Sequence, residues 1–74
     1  MHGTFERLYP HIARWVQAHG WIELGFDDYS HSFVRALDIG GMIWEGQERY
    51  PTLDEALQAL ESALTEWMQA QGFE

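Results

Sequence analysis

The 74 residues hold twelve carboxylates against four arginines, with no lysine and no cysteine, for a formal net charge of −8. Disulfides and cysteine-based zinc sites are thereby excluded. A chain this acidic is repelled by phosphate backbones and anionic lipid, so neither nucleic acid nor a membrane surface is an expected partner.

The length implies one small domain, 1–74, near the lower limit for a self-sufficient core. Domains of this size often gain stability from a metal or a partner subunit. A hydrophobic content of 46% is that of a folded domain. No run of about 18 apolar residues is present to span a bilayer. The start, Met1-His2-Gly3-Thr4-Phe5-Glu6-Arg7, lacks the basic-then-apolar order of a signal peptide. Absent cysteine fits a cytoplasmic setting. The charge favours a basic protein partner, or serves only to keep the chain soluble.

Phe5, Leu8 and Ile12 have helical spacing, but Pro10 interrupts them and suits a first helical turn. The first helix is therefore expected over 10–19, with Tyr9 extended before it and a short turn at Phe5 to Leu8 packed alongside. Ile12, Trp15, Val16 and His19 share its apolar face, and Gly20 is the expected C-terminal cap.

Three strands follow, over about 21–26, 32–37 and 42–45. In the first, Ile22, Leu24 and Phe26 alternate onto one face. Asp27-Asp28-Tyr29-Ser30-His31 reads as a loop. Asp38-Ile39-Gly40-Gly41 reads as a hairpin turn with Gly40 left-handed and a glycine bulge, because β-branched Ile39 avoids positive φ. Pairing Leu24 with Val34, Ile22 with Ala36, Ala36 with Met42 and Val34 with Trp44 makes the inner face wholly apolar. A slip of one residue would mix the faces.

Thr52-Leu53-Asp54-Glu55 matches a capping box. A second helix is expected over 53–71, closed by Gly72, with Leu53, Ala56, Leu57, Leu60, Ala63, Leu64, Trp67 and Met68 as its apolar stripe. Asp54, Glu55, Gln58, Glu61, Thr65, Glu66 and Gln69 lie on the opposite, solvated side. The fold class is α+β: α-β-β-β-α, a three-stranded antiparallel meander with both helices packed on one face.

The outer sheet face then carries Trp21, Phe33, Leu37 and Ile43 around Glu23, Arg35 and Glu45. Glu23 and Arg35 are expected opposite each other, with Glu45 on the diagonal. A mixed face is ordinary on an antiparallel sheet, and scattered apolar groups are normal. Four large ones together form an interaction surface, most simply of a twofold homodimer.

Chemistry-bearing patterns are few. His11 and His19 stand too far apart to chelate together, and no His-x-x-x-His or Glu-x-x-His spacing occurs. The 27–31 loop could gather a cation or small ligand, although such a loop is ordinarily just a solvated turn, and it lacks EF-hand spacing. Ser30, Ser32 and Ser62 sit in no activating motif, and nothing selects one carboxylate pair among twelve. An enzyme is therefore not expected, and no metal or cofactor.

Three resemblances bear on these expectations. The helix, three strands, helix order resembles double-stranded-RNA-binding domains. Their RNA contacts use basic residues at the last helix, where this chain has Asp54, Glu55, Glu61, Glu66 and no cation, so the likeness implies architecture and not activity. Within 22–67, a third strand ending in Glu45-Gly46, followed by Thr52-Leu53-Asp54-Glu55-Ala56-Leu57, resembles the HicB-type antitoxin core. That likeness implies an acidic regulator binding a basic protein, though the usual Pro-Asp-Leu-Pro segment is absent. The runs Trp21-Ile22-Glu23-Leu24-Gly25-Phe26-Asp27-Asp28 and Gly41-Met42-Ile43-Trp44-Glu45-Gly46 resemble short uncharacterised bacterial, notably cyanobacterial, proteins, for which no activity is implied. The leading expectation is a small non-catalytic interaction module that self-associates through its outer face. The antitoxin-like regulator is the alternative, and a binder using the 27–31 loop the third.

Overall fold

Pro10 does what its position predicts: it occupies the first turn of a helix, and Tyr9 before it lies outside the helical region at φ −133° and ψ 64°. The computed structural model describes residues 3–25 and 32–72. It contains α1 (Thr4–Leu8), α2 (Pro10–Ala18), β1 (Trp21–Leu24), β2 (Val34–Asp38), β3 (Gly41–Glu45) and α3 (Leu53–Gln71). The strands form one antiparallel sheet in the order β1-β2-β3, and α2 and α3 pack together on its inner face. This is the α-β-β-β-α arrangement of an α+β fold. The segment Phe5 to Leu8, expected as a turn, is the body of the short helix α1, which packs on α2.

The core is built from Tyr9, Ile12 and Trp15 below, Val34 and Ala36 from β2, and Ala56, Leu60, Leu64 and Met68 from α3. The α3 residues recur every four positions, the stripe that turns one helix face to the sheet. Fully burying each of Leu60, Leu64 and Met68 contributes about 1.5–3 kcal/mol. Trp15 has no exposed surface. Its indole meets Trp67 edge-on at 5.1 Å, and its Nε1 donates to the Trp21 carbonyl at 3.1 Å, fixing α2 to the start of β1. Val16 and Leu53, expected in the apolar stripes, are about half exposed.

The Thr52 side chain accepts the Glu55 amide at 3.1 Å, and Gly72 closes α3 at φ 80°, as the capping box and terminal glycine predict. Gly20 departs from expectation. It is not in a left-handed conformation, and its backbone instead packs so close to β2 that a Cβ would overlap the Leu37 carbonyl oxygen.

The first hairpin has the expected register: Trp21 pairs with Leu37, Ile22 with Ala36, Glu23 with Arg35 and Leu24 with Val34. The β2 strand begins two residues later than expected, because the chain bends at Phe33. Phe26, assigned to the inner face, and the 27–31 loop lie outside the described residues.

The second hairpin differs. Asp38 pairs directly with Gly41, Leu37 with Met42, Ala36 with Trp44 and Arg35 with Glu45. The Asp38 carboxylate accepts the Gly40 amide at 2.8 Å and holds a two-residue loop of Ile39 and Gly40. The positive φ, 122°, falls at Gly41 and not at Gly40. The bulge therefore sits inside β3, where Ile43 is the extra residue between the Met42 and Trp44 pairs.

Candidate functional site

On the outer sheet face the register sets two rows across all three strands. Trp21, Leu37 and Met42 are mutually aligned in one, and Glu23, Arg35 and Glu45 in the other. Residues paired across antiparallel strands point to the same side, so each row is one line of neighbouring side chains.

The charged row is largely satisfied by its own members. Arg35 is only 5% exposed although it lies on the outer face. Its Nε donates to Glu23 Oε1 at 3.1 Å, and its Nη1 donates to the Ser32 carbonyl at 2.6 Å. The buried Ser32 hydroxyl donates to Glu45 Oε2 at 3.0 Å, and Trp21 Nε1 donates to Glu23 Oε2 at 3.3 Å. Glu45 thus stands directly across from Arg35 and not on the diagonal, joined to its surroundings through Ser32. The guanidinium ties β1 to the segment leading into β2, and the Ser32 hydroxyl carries the link on to β3, which makes Arg35 a fastening of the sheet and not an open cation.

The apolar row is open. Trp21 is 44% exposed and Met42 51%, with Leu37 half-buried between them. Ile39, at the tip of the adjoining hairpin, is almost fully exposed.

Two expected members of this face lie elsewhere. Phe33 packs against the core, its ring 6.5 Å from that of Tyr50. Its amide donates to the Gln47 carbonyl at 2.9 Å, and the bend at this point breaks the alternation that would have turned the ring outward. Ile43 packs on the core side because a bulge puts two successive residues on one face. Met42, expected inside, takes the outer position. Of the expected set, Trp21, Glu23, Arg35, Leu37 and Glu45 share the outer face, while Phe33 and Ile43 do not. Met42 and Ser32 were missed. Their signal is the bulge position and the bend, neither of which hydrophobic alternation encodes.

A second feature lies on the helix side. Ile43, Trp44, Ala63, Glu66 and Trp67 line an open cleft of about 280 Å³ between β3 and α3. Among the described residues no three His, Cys, Asp or Glu side chains are grouped to hold a metal ion, and no helix is long and apolar enough to cross a membrane.

Compared with family models, with curated proteins and with solved structures, the chain has no significant match to any.

Proposed function

We propose that this chain is a small non-catalytic protein-interaction module that associates with a second copy of itself through the outer sheet face. The observation that supports this is the open row of Trp21, Leu37 and Met42, aligned across the whole width of the sheet. Its neighbour Arg35 is already engaged within its own chain and leaves the apolar row as the part of the face with contacts to make. A twofold dimer sets one row against its copy, and the exposed Ile39 lengthens the patch. Burial at roughly 25 cal/mol per Å² adds stability that a domain of this size can use.

The test is sedimentation at several protein and salt concentrations. Two chains of net charge −8 repel each other, so self-association should strengthen as salt screens them. Met42→Lys should return the protein to the mass of one chain. A single-chain mass at all micromolar concentrations in high salt refutes the reading.

A second reading is an acidic, antitoxin-like regulator that captures a basic protein. It draws on the same net charge and on the exposed Glu55 and Glu66 of α3. Its salt dependence has the opposite sign, because capture should weaken as salt rises.

A further inference from the structure

We infer that the cleft between β3 and α3 is a receptor for one cationic side chain, an arginine of a basic partner, held by Trp44 and Trp67 with Glu66 as counter-ion. Three observations on the helix side of the sheet carry this, apart from the outer face and its self-association.

First, the bulge in β3 puts Ile43 and Trp44 side by side against α3, opposite Ala63, Glu66 and Trp67. Small Ala63 leaves the gap open between the larger groups. Both indoles are only partly buried, so each offers surface to the cleft as well as to the core. Trp67 is held by its edge-on contact with Trp15, which has no exposed surface itself, so this wall of the cleft is backed by the core. A rigid wall keeps the entropic cost of binding low.

Second, the lining combines aromatic surface with a single carboxylate. Indole faces attract cations more strongly than any other side-chain ring, and Arg is the commonest natural partner. Glu66 is exposed at the same cleft, where it can accept from a guanidinium without first giving up a burial cost.

Third, the surroundings favour this ligand and no anion. The whole chain is at −8, and α3 carries Asp54, Glu55, Glu61 and Glu66 without one cation. A basic peptide is drawn toward this side by the general field, and the cleft then selects one side chain.

A second groove, of about 380 Å³, contrasts with it. It is lined by Gln47, Tyr50, Pro51, Glu55, Gln58 and their neighbours, with a carboxylate but no indole. It therefore serves as the internal control for a carboxylate groove that lacks an indole.

The experiment is titration of the intact protein with a short arginine-containing peptide, read by tryptophan fluorescence and calorimetry. The same peptide with citrulline in place of arginine, isosteric and uncharged, is the comparison. Saturable binding of the arginine peptide alone is expected. Glu66→Gln should weaken it about threefold, the scale of an exposed ion pair, and Trp44→Phe about threefold or more by substituting a poorer ring. Glu55→Gln should leave it unchanged. Equal binding of the citrulline peptide, no saturation into the millimolar range, or equal losses in Glu55→Gln and Glu66→Gln would each overturn the inference. Glu66 is exposed, so its variant remains informative even if Trp44→Phe fails to fold. The mass of the protein without peptide is read separately, so failure here and failure of self-association are distinguishable.

Discussion

The carboxylate of Glu61, midway along α3, caps the N-terminus of α2: its Oε1 accepts the amides of His11 and Ile12, each at 2.9 Å. The His11 ring Nδ1 lies 2.6 Å from the other oxygen, Oε2. The residue before α2, Tyr9, supplies no side-chain cap of its own, so a neighbouring helix satisfies the first-turn amides. A negative group at this end also meets the positive pole of the helix. Glu61→Ala should therefore cost about 1–2 kcal/mol, a cap and a dipole contact together. Glu61→Gln, which keeps one oxygen, should lose less. Urea unfolding checks this through the midpoint at constant slope, and an unshifted midpoint counts against the cap.

Tyr9 makes the second link between these helices. Its hydroxyl donates to Asp54 Oδ1 in the first turn of α3. That hydrogen bond, then burial, then the charges of Asp54 and Glu61 raise the phenol above its ordinary value of 10.0. The folded protein thus holds the proton more tightly than the unfolded chain. The resulting stability is complete below pH 10 and is lost as pH rises through the folded value. Ultraviolet titration of the folded protein should show one late phenolate, and Asp54→Asn should bring it earlier. No change in that variant would remove Asp54 as the main cause.

Arg35 joins β1 to the segment leading into β2 through two differently placed acceptors, Glu23 Oε1 and the Ser32 carbonyl. An ammonium on a flexible stem does not reproduce a planar fork. Arg35→Lys should cost about 1–3 kcal/mol, the scale of leaving a buried acceptor poorly matched. Thermal unfolding measures it, and a wild-type melting temperature would show that charge alone suffices.

Gly20 tests the approach of the α2–β1 junction to β2. A Cβ there would overlap the Leu37 carbonyl oxygen and lie 3.0 Å from Asp38 Cα, both backbone atoms that cannot swing aside. Gly20→Ala should destabilise by about 1–3 kcal/mol through overpacking. If the variant matches or exceeds wild type, the junction yields more easily than the packing implies.

Much of the architecture was legible from local pattern. The four-residue spacing of Ala56, Leu60, Leu64 and Met68, the Thr52 to Glu55 cap and Gly72 define α3 without help from elsewhere. The first hairpin was legible because its alternating apolar residues agree with one register only. The second hairpin failed at one residue. Placing the bulge at Gly40 and Gly41 or at Ile43 gives two sheets of nearly equal apolar content, and the choice turned on the Asp38 carboxylate holding the Gly40 amide. That exchange moved Met42 outward and Ile43 inward, and with them two members of the candidate surfaces.

The carboxylates of α3 show the same limit. Asp54 and Glu61 fall on the polar side of the helical wheel with Glu55 and Glu66, yet the first two bind the α2 end and the latter two remain exposed. Sequence alone determined the order of the main elements, the register of the first hairpin, the net acidity and the lack of cysteine chemistry. Helical and strand periodicities and charge are properties of neighbours along the chain. Only the tertiary structure decided which polar groups are internal fastenings, where the bulge falls, and that Trp44, Trp67 and Glu66 share one cleft. Those outcomes depend on which distant backbone amides and side chains meet across the packed faces, and no local spacing records that meeting.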